Sequence, residues 1–393
     1  MFGDGSLIPA GNHFAAMAGL FVIAALGFLA ERTRIGALVT GAVVTILLAI
    51  VAANLNIIPG DAPAYGFVFS YFVPILIPLF LMKADLRKVF FETGRLTMAF
   101  LLAAFATVVG AIVAVGVLDF AGRDAEVAGV FTATYIGGSV NFAALLDITG
   151  LREDANFVST SVAADNLASA LFLGLLAIVP GWRWLANRFP MRDHSQGEIE
   201  DEAGGKATAA TLAYTITFAL VVVALGDFLT AQLGNLLNAM GVADAGDQAR
   251  NWRYAIITVL AVIPATAFPK TMAKLHGGYE LGLGLAFVFF AAIAAGADIP
   301  TLIQEAPILM ALVIILLTVH AIVLFGLGSL FRFSMPELIT ASNAAVLGAT
   351  TAPALAAAKG WKDLVTPGVI VGVFGYALGT IVATGVYQVW SLL

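Results

Sequence analysis

The sequence contains no cysteine in its 393 residues, and charged residues make up only 11% of it. Without cysteine, the protein cannot form a disulfide, use a thiol in catalysis or bind a metal through a cysteine thiolate. The charged fraction is less than half of the roughly 25% that is typical of soluble domains. Gly-x-Ser-x-Gly elbows, His-Glu-x-x-His helices and phosphate-binding loops are also missing. From these absences we expect no enzyme, no organic cofactor and no nucleic-acid partner.

Hydrophobic residues, in contrast, make up 61% of the chain, and 40 residues are glycine. Apolar runs of about 18 residues or more recur from end to end, as expected for helices that cross a lipid bilayer. Abundant glycine suits the close packing of such helices. The sequence therefore predicts an all-α polytopic membrane protein with about twelve transmembrane segments, near residues 13–30, 35–57, 64–82, 96–119, 127–149, 155–180, 207–229, 254–269, 279–297, 306–330, 337–358 and 366–390.

The longest polar stretch, residues 182–206, predicts a linker between a first membrane repeat at 1–181 and a second at 207–393. Within each half, small, hydroxyl and amide residues interrupt one long apolar segment. A shift of about 210 residues superimposes the two interruptions and places Gly138 on Gly348. Interrupted helices at matching places in two halves are typical of the binding site of a secondary transporter. Chance similarity among apolar segments is the alternative to a true repeat.

Loop charges predict the orientation of the two halves. The loop after the third segment holds Lys83, Arg87, Lys88 and Arg95, so the positive-inside rule assigns it to the cytoplasm. The matching loop, Asp298–Glu305, has no lysine or arginine and is expected outside. Opposite sides for matching loops favour inverted repeats. Twelve crossings would instead make the repeats parallel, so the helix count and the loop charges disagree. One segment is therefore expected to be miscounted, and the moderately apolar stretch at residues 228–242 is the candidate for a hidden or re-entrant piece.

The first interruption places Gly137 and Gly138 directly before Ser139 and Asn141. Each glycine costs a helix about 1 kcal/mol relative to alanine. Unwound backbone at mid-membrane is tolerated only where it is buried in protein or lines a cavity. The freed carbonyl groups, the Ser139 hydroxyl and the Asn141 amide are suited to Na⁺ or to a polar solute. A close crossing of two helices at small residues is the alternative.

The second interruption offers Ser342, Asn343, Thr350 and Thr351, followed by Pro353. Proline removes a backbone donor and frees a carbonyl group one turn earlier. In isolation this pattern would indicate only a proline kink. As the counterpart of the first interruption, it predicts the second half of an ion- or solute-binding site.

Two titratable side chains are predicted inside membrane segments. Asp165, which is followed by Asn166, is the one carboxylate expected at depth, where ionisable groups are costly and usually functional. We expect it to carry a proton or to bind a cation such as Na⁺, unless it lies near the aqueous end of its helix. His320 is a candidate proton relay, with a neutral histidine bonded to a carbonyl group as the alternative.

These motifs resemble, over nearly the whole chain, the YjcL-like family of membrane proteins of unknown function. The residues that carry the resemblance are Tyr135-Ile136-Gly137-Gly138-Ser139-Val140-Asn141-Phe142, Asp165-Asn166, Ala341-Ser342-Asn343-Ala344 and Gly375-Tyr376-Ala377-Leu378-Gly379-Thr380. The chain departs from the family at Leu347-Gly348-Ala349-Thr350, where Ile-Gly-Gly-Pro is usual. More distantly, the arrangement is similar to the cation/proton antiporter and bile-acid symporter superfamily. That resemblance implies two crossed interrupted helices and an acidic pair, of which this chain has one acid at Asp165-Asn166.

The sequence thus predicts a secondary transporter in the bacterial inner membrane, coupled to Na⁺ or H⁺ and carrying a small anionic organic solute. Asp165 would hold the cation, and the N-termini of the half-helices would favour the anion. Exchange of Na⁺ for H⁺ is the alternative within transport. A passive channel or a non-transporting scaffold is the alternative of another class. We expect the lipid bilayer and a small solute or ion as partners. Segments four to six and ten to twelve would form the transport core, and the other segments would form a scaffold and a homodimer surface.

Overall fold

The computed structural model describes residues 5–33, 41–196, 207–242, 244–297 and 299–392. The secondary structure of these residues is helical, and they contain no strand. The prediction of an all-α protein is therefore confirmed. Residues 197–206 of the predicted linker, and Asp298 of the predicted external loop, lie outside the described residues.

The described part of the first half forms long helices that begin and end close to the predicted apolar segments. They are α1 (His13–Glu31), α2 (Gly41–Asn54), α3 (Pro63–Leu81), α4 (Gly94–Val117), α5 (Asp124–Thr149) and α6 (Ala155–Ile178). Helix α3 contains a π-helical turn at Val68–Phe72 and a proline at Pro78. Both features disturb the regular ladder of hydrogen bonds in a helix.

The main helices in the described part of the second half vary more in length, from 8 residues in the shortest to 32 in the longest. They are α7 (Ala209–Ala239), α8 (Arg253–Ala267), α9 (Gly278–Ala294), α10 (Ile299–Leu330), α11 (Met335–Val346), α12 (Thr351–Ala358) and α13 (Val365–Trp390). Helices α7 and α11 each start with a capping box, in which a hydroxyl residue and the residue three positions later exchange hydrogen bonds.

By length and composition alone, eight of the described helices could cross a membrane: α1, α3, α4, α5, α6, α7, α10 and α13, with α5 counted as one unbroken helix. Helices α2, α8 and α9 are apolar but shorter. The protein is therefore a multi-pass membrane protein by the length and composition of its helices. The predicted total of about twelve crossings stays a prediction.

The chain divides into two compact units, and each draws on both halves of the sequence. The first unit comprises Met1–Leu76, Gly150–Ala170 and Glu280–Ile314. Within it, the rings of Phe28 and Phe287 stack with their centroids 4.2 Å apart. The predicted division into two sequence repeats groups the helices differently and stays a prediction.

The second unit comprises Ile77–Thr149, Leu171–Tyr279 and Ile315–Leu393. Within it, α5 and α13 form the most extensive contact between described helices. This unit contains both interrupted regions and His320.

Helix α5 reverses its direction at Gly138. This glycine has φ 67° and ψ −165°, a combination that is essentially restricted to glycine. A Cβ atom built on Gly129 would lie 3.7 Å from Cδ1 of Leu145. In a straight helix these two residues would be about 24 Å apart. The two arms of α5, residues 124–137 and 139–149, therefore lie side by side, and we call α5 the first hairpin.

Helices α11 and α12 form a second hairpin, which turns at Gly348 with φ 96°. A Cβ atom built on Gly368 of α13 would lie 3.2 Å from Cγ2 of Thr340 and 3.5 Å from the backbone nitrogen of Pro353. In a straight helix Thr340 and Pro353 would be about 20 Å apart. The chain therefore doubles back after Gly348, and we call α11 and α12 the second hairpin.

The sequence-based prediction of two interrupted helices is confirmed at Gly138 and Gly348. The expectation that these segments continue onward as two crossed helices is wrong. At each interruption the chain reverses its direction at a glycine with positive φ, so that two short helical arms pack side by side.

Candidate functional site

The turns of the two hairpins approach one aromatic side chain of α13. A Cβ atom built on Gly138 would lie 3.8 Å from Cε1 of Tyr376. A Cβ atom built on Gly348 would lie 3.9 Å from the hydroxyl oxygen of the same tyrosine. Tyr376 therefore lies between the two turns. The structure brings the two predicted interruptions together, although they are more than 200 residues apart in sequence.

Each turn presents one exposed hydroxyl side chain, Ser139 in the first hairpin and Thr350 in the second. The residue beside each hydroxyl, Val140 or Ala349, is buried. The second arm of each hairpin also begins here, and the first turn of a helix has backbone N–H groups without intrahelical partners. Hydroxyl groups and helix N-termini suit an anion, whereas the carbonyl ends of the first arms suit a cation.

Asn141 is fully buried and fastens the first hairpin to α13. Its Oδ1 accepts a hydrogen bond of 2.6 Å from the hydroxyl of Thr380, and its Nδ2 donates one of 3.3 Å to the carbonyl oxygen of Gly375. A Cβ atom on Gly137 or Gly379 would collide with the Asn141 amide. These glycines allow α5 and α13 to approach closely, which agrees with the alternative that the small residues serve a close contact between two helices. The role of Asn141 as a ligand for an ion or solute stays a prediction.

Asn343 closes the second hairpin on itself. Its Nδ2 donates a hydrogen bond of 3.2 Å to the carbonyl oxygen of Thr351, and the Thr351 hydroxyl lies 2.7 Å from its Oδ1. The same hydroxyl lies 3.3 Å from the carbonyl oxygen of Gly348. The amide and hydroxyl groups predicted as ligands thus stabilise the turn that exposes Thr350.

His320, on α10, lies between α4 and the second hairpin. Its Nδ1 is 3.0 Å from the hydroxyl of Thr107, and its Nε2 is 2.9 Å from the hydroxyl of Ser342. The ring of Phe172 approaches it edge-on, with the centroids 6.0 Å apart. His320, Thr107 and Ser342 are all completely buried. The structure therefore joins His320 to the predicted site residue Ser342.

Asp165 and Asn166 lie on α6 and are half-buried. The Ser169 hydroxyl donates a hydrogen bond of 3.0 Å to Asp165, and Asn166 donates one of 2.8 Å to the carbonyl oxygen of Val162. Both predicted residues belong to the first compact unit, whereas the hairpins belong to the second.

The turn of α6 before Asp165 carries buried hydroxyl groups that accept and donate no hydrogen bond among the described residues. These groups belong to Ser159, Thr160 and Ser161. Ser161 and Asp165 are four residues apart and so lie on one face of the helix. No group of three or more histidine or acidic residues that could hold a metal ion occurs among the described residues. The oxygen atoms of Ser161, Asp165 and Ser169 are instead of the type that binds a single hard cation.

The chain matches, over residues 18–393, the model of a family described as "Protein of unknown function (DUF819)". The chain belongs to this family. It is also 31% identical over 373 residues to "Uncharacterized membrane protein YjcL" of Bacillus subtilis (strain 168), a match that covers 91% of each chain. The family resemblance predicted from the motifs is therefore confirmed.

In this DUF819 protein a polar cluster that the sequence motifs did not indicate lies at the base of the second hairpin. Arg95, at the start of α4, donates hydrogen bonds to both carboxylate oxygens of Glu337, at 2.9 and 3.3 Å. It also donates one of 2.8 Å to the carbonyl oxygen of Arg332 and lies over the ring of Phe333. The carboxylate of Glu337 is almost completely buried, so the bidentate ion pair neutralises a charge that would otherwise be costly.

A histidine of the linker region completes this cluster. His194 is buried, with Nδ1 2.9 Å from a carboxylate oxygen of Asp363 and Nε2 2.8 Å from the hydroxyl of Ser334. Ser334 is the residue that caps α11. The capping pattern Ser-x-x-Glu was the one available sequence signal here, because it marks the start of the hairpin helix. The sequence also pointed to Tyr376, because the shift of about 210 residues places this residue at the position equivalent to Asn166.

Proposed function

We propose that this DUF819 protein is a secondary active transporter of a small anionic organic solute, coupled to Na⁺ or H⁺, in the bacterial cytoplasmic membrane. The observation that carries the proposal is the meeting of two hairpin turns at Tyr376. In secondary transporters, broken helices from two repeats meet at the substrate site, and their N-terminal ends interact with anionic groups. We infer that the solute binds at these turns, with Ser139 and Thr350 as hydrogen-bonding groups.

Each half of the chain would cross the membrane five times and add one hairpin that enters and leaves on the same side. The crossings would be α1 to α4 with α6, and α7 to α10 with α13. Because five is odd, the second half would begin on the opposite side from the first, which makes the repeats inverted. In this topology the conflict between helix number and loop charge would come from counting each hairpin as a crossing. The segment expected to be miscounted, residues 228–242, lies mostly within the unbroken helix α7 (Ala209–Ala239) and would not be its source.

Contacts within the second unit support this topology. Arg95, at the start of α4, bonds to Arg332, which directly precedes the second hairpin. At the other end, Asp147, near the end of the first hairpin, accepts a 2.7 Å hydrogen bond from Tyr254, at the start of α8. The Arg95 contact favours a first hairpin that returns to its side of entry, because the helices between Arg95 and Arg332 are even in number only if α5 is not counted as a crossing. The Asp147 contact agrees with either case, since only α6 and α7 separate its two residues.

The orientation was assigned from Lys83, Arg87, Lys88 and Arg95, and the other basic residues also follow the positive-inside rule in this topology. In the proposed topology, the external ends carry only Arg123, Arg152, Arg250 and Arg253 among the described residues. The cytoplasmic ends carry a much larger set, comprising Arg32, Lys83, Arg87, Lys88, Arg95, Arg183, Arg188, Arg192, Lys270, Lys274, Arg332, Lys359 and Lys362.

In this transporter Asp165 would be the carboxylate that binds Na⁺ or carries the proton. Its half-buried position and the Ser169 hydrogen bond support this role. The unpartnered, buried hydroxyl of Ser161 on the same helix face supports a cation ligand there. A substitution with asparagine keeps the volume of the side chain and removes its charge.

Flux measurements in proteoliposomes test the function. Uptake of radiolabelled pyruvate, succinate and gluconate, three anions of different size, would be followed with and without an imposed Na⁺ or H⁺ gradient. We expect gradient-dependent uptake of at least one anion, which Asp165→Asn abolishes. Asp154→Asn, a change at the beginning of the same helix, is the matched control and should leave gradient dependence intact. Ser139→Ala and Thr350→Ala should each weaken uptake affinity about fivefold, the effect of losing one hydrogen bond.

Other outcomes separate the alternatives. Counter-flow of Na⁺ and H⁺ without anion uptake would favour a cation/proton antiporter. A steady current that needs no coupled gradient would favour a passive channel. Full gradient-dependent uptake by Asp165→Asn would show that the coupling residue lies elsewhere.

A further inference from the structure

A buried line of hydrogen bonds connects the two hairpins through His320. In the first hairpin, the carbonyl oxygen of Tyr135 lies 3.3 Å from the Thr107 hydroxyl, which donates to it. The Thr107 hydroxyl lies 3.0 Å from Nδ1 of His320, and Nε2 of His320 lies 2.9 Å from the Ser342 hydroxyl in the second hairpin. Each of these four residues is completely buried. One imidazole thus joins the two elements that form the proposed solute site.

A neutral imidazole satisfies every member of this line. With Thr107 donating to the carbonyl oxygen of Tyr135, the Thr107 oxygen is left to accept from Nδ1–H of His320. Nε2 then carries a lone pair, and the Ser342 hydroxyl donates to it. Each hydrogen bond has one donor and one acceptor, so the neutral form of His320 fits the arrangement described.

A protonated imidazole does not fit in the same way, because both ring nitrogens become donors. The Ser342 hydroxyl would have to turn around and find another acceptor. The groups described around the ring are the hydroxyls of Thr107 on α4 and Ser342 on α11 and the edge of Phe172 on α6, and none of these is ionised. A buried cation with no paired anion is strongly disfavoured, so the charged form favours an arrangement that admits water.

We propose that His320 is a positioning residue that holds the second hairpin against α10 while it is neutral and releases this hairpin when it takes up a proton. The inference rests on the proposed transport function, since it describes how the solute site would open. Ser342 is adjacent to Asn343, whose bonds to Thr351 close the hairpin. A shift of Ser342 would therefore carry the turn with Thr350 along as one piece.

The absence of native cysteine makes the test direct. Thr350→Cys places a reporter at the exposed turn, and a water-soluble maleimide measures its accessibility in the purified full-length protein without solute. Gln196→Cys, in the exposed linker, corrects for the pH dependence of the thiol reaction itself. With His320 present, we expect corrected labelling of Thr350→Cys to rise about fivefold between about pH 8 and about pH 5.5, because an imidazole that has been released into water takes up a proton in this range and so favours the opened arrangement.

Two variants decide the interpretation. His320→Gln keeps a donor and an acceptor but cannot take up a proton, so labelling should stay low at both pH values. Ser342→Ala keeps His320 and removes its bond to the hairpin, so labelling should be high at both. A labelling ratio that does not change with pH in the His320 protein, or that changes equally in His320→Gln, would overturn the proposal. Labelling needs no transported solute. A missing pH response would therefore refute the role of His320, whereas missing transport would refute the proposed function, and the two results can be told apart.

Discussion

Reversal of the first hairpin depends on the backbone conformation of one residue. Gly138 combines φ 67° with ψ −165°, where a side chain would clash with the backbone. Gly348, Gly150 and Gly360 also have positive φ, of 96°, 78° and 76°. These are the positions that a shift of about 210 residues superimposes in pairs, Gly138 with Gly348 and Gly150 with Gly360. The turns of the two halves are therefore alike in conformation as well as in sequence.

Substitution of Gly138 with alanine should therefore destabilise the protein by about 1–3 kcal/mol, because the required φ and ψ are strained for any residue with a Cβ atom. The surrounding space is not the cause, since the nearest atom to a Cβ there would be 3.8 Å away. Thermal unfolding in detergent measures the effect. Gly116→Ala in α4 is the control, because no atom lies within 4 Å of a Cβ there and the helix should gain up to about 1 kcal/mol. Equal unfolding temperatures for Gly138→Ala and the unsubstituted protein would contradict this view of the turn.

The sequence could indicate which residue types gather at the interruptions but not their partners. The Asn141 amide bonds to Gly375 and Thr380, which lie 234 and 239 residues further along the chain. Such partners are determined by the packing of α5 on α13, which no local pattern encodes. Asn343, in contrast, bonds to Thr351, which is only 8 residues away. This partner could be predicted from the local sequence once the chain is known to reverse at Gly348.

At the scale of the element, the second hairpin is held at its base as well as at its turn. Ser334 accepts a hydrogen bond from the backbone N–H of Glu337 and also contacts His194, while Glu337 pairs with Arg95. The base of the hairpin is thus attached to α4 and to the linker region. This arrangement favours movement at the turn, which carries the exposed Thr350, over movement at the base.

Loss of the Ser334 hydroxyl should therefore lower the free energy of unfolding by more than the loss of an ordinary helix cap does. An N-cap hydroxyl typically contributes about 1 kcal/mol. Ser334→Ala also removes a buried hydrogen bond to His194, so the free energy of unfolding should fall by about 2 kcal/mol. Thr208→Ala removes the exposed cap of α7 and serves as the comparison. The two variants would be compared by thermal unfolding in the same detergent, and equal losses would mean that the His194 contact adds no stability.

The hairpins also show what a periodic pattern leaves open. Glycine and small polar residues within an apolar run indicate that a helix is interrupted, which the sequence revealed at both sites. Whether the chain then continues or doubles back depends on tertiary contacts, such as those of Thr340 and Pro353 with Gly368. The number of crossings, and with it the relation between the halves, could therefore not be derived from apolar segments alone.

At the scale of the whole molecule, the proposed inverted topology places both ends of each hairpin on the same side of the membrane. For the first hairpin these ends are Arg123 and Arg152, which would both be external. For the second they are Arg332 and Lys359, which would both be cytoplasmic. Helices that cross the membrane would instead place the two ends of each segment on opposite sides. The side on which each end lies therefore distinguishes a hairpin from a crossing helix.

Single cysteines at these four positions, in a chain that has no other cysteine, distinguish the two topologies. In intact cells, we expect a membrane-impermeant maleimide to label Arg123→Cys and Arg152→Cys, and to label Arg332→Cys and Lys359→Cys only after the membrane is opened. Lys88→Cys and Gln304→Cys are the reference positions, expected inside and outside respectively from the loop charges. Because Arg332 bonds to Arg95 through its backbone carbonyl, replacing its side chain leaves that contact in place. Labelling of Arg123→Cys and Arg152→Cys from opposite sides would mean that α5 crosses the membrane. The two repeats would then be parallel, and the proposed site, which requires two hairpins that enter from opposite sides, would be wrong.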